Sequence, residues 1–214
     1  MRHIMVINAK GGCGKSTIAT NLAVFFARDG HEVCIADYDR QRSSLDWLAQ
    51  RPADLPKIAG VAAFEDGLRG VARSTEVLVI DAPARVHGAE LQEFVRRADT
   101  ILVPVLPSSI DMKACAHFMK DLLEIGKVSR KQTRLAIVAN RVREQTRIFE
   151  ELELYLGQFK LPYLGRLRDA QNYVRAYTRG MGVLELPEYL AWPDWQQWEP
   201  ITDWLDSKRS LPLA

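Results

Sequence analysis

The amino-acid sequence predicts an α/β fold, a doubly wound and mainly parallel sheet with helices on both faces. Two observations carry that expectation. Five short apolar, β-branched runs recur along the 214 residues: IMVI (4–7), VCIA (33–36), VLVI (77–80), ILVPV (101–105) and LAIVA (135–139). Each is strand-length and lacks polar alternation, as strands buried on both faces require. Stretches of helical spacing separate them, and strands alternating with helices imply right-handed crossovers onto a parallel sheet.

In chain order, the first run leads through NAKGGCGKST (8–17) into a stripe of Ile18, Leu22, Ala23 and Phe26, a helix that Gly30 is placed to end. The second run is followed by DYDRQ (37–41), and RPADLPKIAG (51–60) has the proline and glycine content of a loop or irregular connection. The third run ends in Asp81. The fourth precedes a helix between Asp111 and Gly126 with Phe118, Leu122 and Leu123 on its apolar stripe, and the fifth ends in Asn140. Ile148, Leu152, Tyr155 and Leu156 then repeat the helical spacing. From Pro187 the texture becomes rich in Trp and Pro. The expected organisation is one domain over 1–186, with 187–214 a tail that contains a short helix and packs on the same domain.

A chain of this length can bury a single substantial core. Its 47% apolar and 26% charged residues are ordinary for a globular protein in water, and no apolar run approaches the ~20 residues that cross a bilayer. MRHIMVINAKGG has too short an apolar run for a signal peptide. Cys13, Cys34 and Cys115 are odd in number and form no CxxC pair, which argues for reduced thiols in a cytoplasm and against a disulfide framework or a cysteine metal site. The net charge of +2 is unevenly placed. Residues 127–179 hold 12 Lys/Arg against 5 Asp/Glu, whereas 180–206 hold 6 acidic residues and no basic one. That asymmetry fits either a polyanion-binding face beside an acidic tail or a solvated helical surface.

NAKGGCGKST lies directly after a strand and directly before a helix, the context that a phosphate-binding loop needs. Gly11, Gly12 and Gly14 let the backbone wrap closely, with the amides of 11–14, Cys13 included, turned toward phosphate oxygens. The helix start adds its dipole. Lys15 can neutralise β- and γ-phosphates, Ser16 can ligate Mg²⁺, and Thr17 can assist at the α-phosphate. The general pattern G-x-x-x-x-G-K-[ST] fails at one position, because Ala9 stands where its first glycine belongs.

KGGCGKST resembles KGGxGK[ST], the deviant Walker A motif of the ParA/MinD family of partition and positioning ATPases, which are P-loop NTPases. The resemblance implies ATP and Mg²⁺ as cofactors. It also implies that the additional lysine, Lys10, reaches across a dimer interface to the partner's nucleotide; read without the flanking motif, Lys10 is better taken as an exposed lysine at a strand-to-loop junction. DYDRQ resembles the family's DxDxQ switch I. That implies Asp39 as the carboxylate critical for hydrolysis and Asp37 nearer the metal, with Arg40 standing where a proline is common. Without the resemblance, the same stretch is a polar turn in which Asp39 or Ser43 caps the next helix. VLVIDAP (77–83) resembles a Walker B strand whose Asp81 holds the Mg²⁺ hydration shell, with Ala82-Pro83-Ala84 opening switch II. ILVPVLPSSIDM (101–112) resembles the family strand followed by P-S-x-x-D. LAIVANR (135–141) resembles the strand ending in an adenine-contacting asparagine, here Asn140, and YLGRLRDAQNYVRAYTRGMGVLEL (163–186) resembles the closing strand and helix, where Leu167 and Arg168 fall near adenine.

The family reading implies an ATP-dependent homodimer that binds a surface and is released when a separate ParB-like or adaptor protein stimulates hydrolysis. Non-specific DNA is the expected surface, with Arg141, Arg143, Arg147, Arg166, Arg168, Arg175 and Arg179 as its contacts. The protein is then cytoplasmic, and nucleoid-associated when ATP-bound. Only nine residues precede Lys10, so the chain resembles the small partition ATPases without a helix-turn-helix extension. A MinD-like membrane switch is the alternative and needs a basic amphipathic C-terminal helix. ITDWLDSKRSLPLA instead flanks Trp204 and Leu205 with Asp203 and Asp206. A small-substrate P-loop enzyme is a third reading, marked by metabolite-dependent turnover without DNA.

Overall fold

The computed structural model describes residues 1–213. Along the chain come β1 (Arg2–Val6), α1 (Lys15–Arg28), β2 (Val33–Asp37), α2 (Ser43–Ala49), β3 (Ile58–Ala62), α3 (Ala63–Asp66) and β4 (Val77–Asp81). Then follow α4 (Gly88–Arg97), β5 (Thr100–Val105), α5 (Ser109–Glu124), α6 (Gly126–Ser129), β6 (Arg134–Val142), α7 (Arg147–Leu156) and β7 (Tyr163–Arg168). The last elements are α8 (Gln171–Tyr177), a 3-10 turn at Val183–Glu185, α9 (Glu188–Asp206) and a 3-10 turn at Lys208–Ser210.

The residues gather into two compact units. The first holds Met1–Val6, Lys15–Pro83 and Ala170–Trp195; the second holds Ile7–Gly14, Ala84–Asp169 and the residues from Gln196 onward. Strands of the first unit run in the order β3-β2-β4-β1 and those of the second in the order β5-β6-β7. Their pairings are parallel. The register brings Asp37 at the end of β2 level with Asp81 at the end of β4. Every residue of β2, β4 and β5 is buried, which is why these strands read as unbroken apolar runs.

In the first unit, Ile18, Leu22, Ala23 and Phe26 of α1 are buried as their spacing predicts, and Gly30 ends the helix. The stretch 51–60 is not wholly a loop, because β3 begins at Ile58. Its sequence, IAGVA, lies at the end of the strand order and is largely uncovered, so no apolar run announces it. In the second unit the stripe of α5 is Cys115, Phe118, Met119 and Leu122, whereas Leu123 is 39% exposed. Phe149 joins Leu152 and Leu156 on the buried side of α7.

The C-terminal helix is also longer than the short one expected. α9 has 19 residues and runs through Pro193 and Pro200. Each proline removes one helical hydrogen bond, but Ala191, Trp198, Ile201, Trp204 and Leu205 are buried along it, and burial of that size outweighs the loss. Asp194, fully buried, accepts from Asn172 Nδ2 at 2.7 Å. Trp195 Nε1 donates to the Val183 carbonyl at 2.8 Å.

A buttress within the first unit joins α2 to the segment after α8. Trp47 Nε1 donates to the Met181 carbonyl at 3.1 Å, and Arg51 donates to the Gly180 carbonyl at 3.0 Å. Arg51 also pairs with Glu185 through two bonds of 3.0 and 2.6 Å, with the two side chains only 5% and 3% exposed. Gly180 closes α8 with φ of 64°, its amide donating to Tyr177 O and that of Met181 to Ala176 O. A Cβ on Gly180 would lie 2.4 Å from the Arg51 amide nitrogen, against main chain that cannot yield.

Gly180→Ala is therefore expected to cost at least about 2 kcal/mol, by strain at positive φ and by overpacking. Urea denaturation at constant m-value measures it, and a midpoint indistinguishable from wild type would show that the buttress is not rigid.

Candidate functional site

Within the first unit, three strand and helix ends bring the acidic residues and the first turn of α1 into one hydrogen-bonded network. Asp37 and Asp81 are buried neighbours at the carboxyl ends of β2 and β4. Asp37 accepts from three backbone amides: Asp39 at 2.9 Å, Ser44 at 3.0 Å and Leu45 at 3.3 Å. The first of these bonds turns the chain after β2, and the other two cap α2. Asp37 thus does the capping that a sequence reading assigns to Asp39 or Ser43, and Arg42, the residue before the helix, takes a left-handed φ of 57°. Asp39 itself is half-buried, and its Oδ1 accepts from the Gln41 amide at 3.0 Å.

Asp81 accepts from Ser44 Oγ at 2.6 Å and from the Ser16 hydroxyl. Burial pushes its carboxyl up to about 6; the Asp37 charge adds to that rise, while the two hydroxyls and the Lys15 charge oppose it. Burial likewise raises Asp37, against its three backbone donors. Lys15 is buried in the first turn of α1, and Ser16 and Thr17 follow half-buried. Tyr177 of α8 donates to the Ser43 carbonyl at 2.6 Å and so fixes the start of α2.

Within the second unit, the residues ahead of Lys15 are held by their own backbone and by two asparagines. Asn8, almost fully buried, donates from Nδ2 to the Pro104 carbonyl at 2.6 Å and accepts the Lys10 amide on Oδ1 at 3.1 Å. The Ala9 carbonyl accepts from Arg85 N–H at 2.9 Å. Cys13 is buried, and its thiol donates to the Lys10 carbonyl at 3.3 Å. Asn140 donates from Nδ2 to the Cys13 carbonyl at 2.8 Å. A Cβ on Gly14 would sit 2.2 Å from that nitrogen, so the approach of the Asn140 amide to the loop requires glycine there. Gly11 and Gly12 are exposed at the loop tip. Leu167 is fully buried in β7, whereas Arg168 is half-buried and its amide donates to Gln197 Oε1 at 2.8 Å.

The arginines sort into two kinds. In the second unit, Arg141 and Arg143 both pair with Asp169, at 3.3 and 3.2 Å. Arg147 pairs with Glu151 at 3.2 Å, and Arg166 with Glu144 at 2.9 Å and Glu153 at 3.8 Å. In the first unit, Arg175 on α8 and Arg179 just beyond it are exposed and have no ion pair among the described residues. Part of the basic excess in 127–179 is thus neutralised on the protein itself.

Sequence reasoning does not single out Asn8 or Ser44. Each is an ordinary polar residue whose partner lies far along the chain, 96 and 37 positions away. A buried asparagine directly after a strand is the one signal that Asn8 offers.

A family model described as the CobQ/CobB/MinD/ParA nucleotide binding domain matches residues 4–183. The maintenance of carboxysome distribution protein A of Halothiobacillus neapolitanus is 25% identical over 189 residues, which span 86% of this chain and 87% of that one. Among solved structures, the fold is similar to a plasmid partition protein of Borrelia burgdorferi bound to AMPPNP, with TM-score 0.73 and 14% identity over 94% of this chain and 98% of that one. It is also similar to the septum site-determining protein MinD of Pyrococcus horikoshii complexed with Mg-ADP, with TM-score 0.66 and 16% identity over 97% and 98%.

The raised carboxyl of Asp81 gives the site a pH signature. Its folded-state value near 6 lies above the ordinary 3.8. As pH rises from about 4 to about 6, the unfolded chain releases this proton first, so the group's contribution to stability falls, and it stays lowered above about 6. Asp81→Asn is expected to raise the apo thermal midpoint by several degrees at pH 7.5, and by roughly half as much at pH 5. A gain that does not vary with pH, read by calorimetry, would overturn burial as the cause.

Proposed function

The chain belongs to the CobQ/CobB/MinD/ParA family of nucleotide-binding domains, and from that premise we propose that it is a Mg²⁺-dependent ATPase that works by pairing. In this reading it forms an ATP-dependent sandwich dimer, binds DNA without sequence preference and uses partner-stimulated hydrolysis to segregate or position a plasmid, a chromosome locus or another cargo. The observation that carries the proposal is the second lysine of the loop. Lys10 stands five residues before Lys15 in KGGCGKST, with its amide held by Asn8 and its carbonyl by the Cys13 thiol. A lysine whose backbone is fixed at both ends, on a loop that already has Lys15, suits a contact beyond its own nucleotide.

The residues present fit ATP and Mg²⁺. Gly14 leaves no room for a Cβ, and the amides of Gly11, Gly12, Cys13 and Gly14 lie just ahead of a 14-residue helix that opens on a buried lysine. The Ser16 hydroxyl and the buried Asp37 and Asp81 carboxylates are hard oxygen donors of the kind Mg²⁺ prefers, and burial of two adjacent acids makes a cation beside them favourable. When bound, Mg²⁺ supplies neutralisation of phosphate charge.

The chain's own residues supply the rest. Lys15 would neutralise the phosphates of its own nucleotide, Ser16 would ligate the metal and Thr17 would assist at the α-phosphate. Asp37 and Asp81 would hold the metal through its bound water. Asp39 accepts a hydrogen bond from the attacking water and orients it, and Lys10 reaches the phosphates bound by a second copy of the chain. Asn140 braces the loop through Cys13 and, with Leu167 and Arg168, marks the adenine side. Arg175 and Arg179 are the strongest candidates for phosphate contacts on DNA, because no acidic partner among the described residues occupies them. The fold is similar to that of proteins bound to AMPPNP and Mg-ADP, which supports the choice of cofactors.

Size-exclusion chromatography with light scattering and a phosphate-release assay test the division of labour. Lys15→Ala is expected to weaken ATP binding by about a hundredfold. Lys10→Ala should keep ATP binding but lose ATP-dependent dimers, and Asp39→Ala should keep the dimers but stop hydrolysis. Dimers of Lys10→Ala that persist in ATP would return Lys10 to the role of a surface residue.

Binding of duplex DNA and of anionic vesicles, compared side by side in ATP, ADP and no nucleotide, tests the surface. Replacing both Arg175 and Arg179 with Glu should weaken DNA binding and lower the salt slope by about 2, whereas replacing Arg141 and Arg143 should change it little. An unchanged salt titration for the Arg175/Arg179 variant would remove α8 from the interface, and vesicle binding without DNA binding would favour the membrane reading.

A further inference from the structure

Ser44 is a buried polar residue that the proposed mechanism does not use. It is fully buried, so no ligand can touch it. Its hydroxyl donates to Asp81 Oδ2 at 2.6 Å, and its amide donates to Asp37 Oδ2 at 3.0 Å. One residue thus bonds both buried carboxyl groups, and the 2.6 Å hydroxyl bond to Asp81 is of the short, stronger kind. A carboxylate at the end of a strand otherwise turns freely about its last torsion. With Oδ2 of Asp81 engaged by Ser44 and the Ser16 hydroxyl also donating to that carboxylate, the group is held in one orientation.

The position of Ser44 in the chain adds a second consequence. It lies at the start of α2, directly after the segment that bears Asp39, and the neighbouring Ser43 carbonyl is anchored by Tyr177. The segment 38–43 is therefore joined to Asp81 through Ser44.

We propose that Ser44 is a positioning residue that locks Asp37 and Asp81 into one unit and aims Asp81 at the metal's water shell. The inference rests on the Mg²⁺-ATP reading and extends it to a residue outside the ligand's reach. Loss of the hydroxyl leaves Asp81 buried with Ser16 as its remaining hydroxyl donor and less firmly oriented, so the cost falls on the cation and not on the nucleotide's phosphates or base.

The test titrates a fluorescent ATP analogue in EDTA and then at increasing Mg²⁺, for wild type, Ser44→Ala and Ser44→Thr, with apo thermal midpoints measured alongside. Ser44→Ala is expected to bind the analogue in EDTA within about twofold of wild type while needing about tenfold more Mg²⁺ for half-maximal enhancement, the effect of one charge-assisted bond. Ser44→Thr, which keeps the hydroxyl, should restore the wild-type Mg²⁺ requirement even where its added methyl lowers the thermal midpoint. An unchanged Mg²⁺ requirement in Ser44→Ala overturns the inference, and so does a loss of affinity in EDTA equal to that in Mg²⁺, which marks a purely structural role. Wild type that binds the analogue in neither condition overturns the nucleotide reading itself.

Discussion

Two carboxylates held side by side in the interior set the terms for everything around them. The parallel register of β2 and β4 forces Asp37 and Asp81 to the same level at the strand ends, and burial denies both of them water. Like charges at that spacing repel, and each would be neutral if the surroundings were apolar. The surroundings are instead a shell of donors: three backbone amides on Asp37, and two hydroxyls with the Lys15 charge on Asp81. That shell holds Asp81 at about 6 and no higher. At neutral pH Asp81 therefore stays ionised at a cost, and the cost falls whenever a cation arrives.

This constraint explains the rigidity of parts that touch no ligand. α2 exists where it does because Asp37 caps it, and its far end is fixed to the segment after α8 by Trp47 and by the buried Arg51–Glu185 pair. A buried ion pair adds little net stability over an apolar contact, but removing one partner leaves the other charge buried and uncompensated. Gly180 works in the same direction, because the main chain of Arg51 fills the space where any side chain would stand. In the second unit the loop ahead of Lys15 is fixed just as firmly, by Asn8 beneath it and by Asn140 against Gly14. Rigid support of this kind lets a few polar atoms be aimed without strain at the moment of binding.

The parts legible in the sequence are those whose signal is local. The loop KGGCGKST, the stripe of α1 and the acids at the ends of β2 and β4 all show in a window of a few residues, because strand burial and helix periodicity are local patterns. What escaped reading depends on distant partners. β3 is half uncovered and rich in Ala and Gly, so it lacks an apolar run, and α9 passes two prolines that a local rule treats as stops. The neutralisation of Arg141 by Asp169 spans 28 positions, and the engagement of Ser44 with Asp81 spans 37. Neither is visible without the fold.

The buttress also bears on the order in which the molecule can be completed. In the first unit, the bond from Arg51 to Glu185 closes 134 positions, and the bond from Val183 to Asn21 closes 162. Contacts of such long range pay their loop entropy before they return any stability, which slows the last step of folding. During synthesis, the segment that carries the acids and α2 leaves the ribosome long before residues 180–185 arrive to brace it. Until they do, Trp47 and Arg51 lack their partners at Met181, Gly180 and Glu185, so α2 carries the acids' backbone donors without its far-end support.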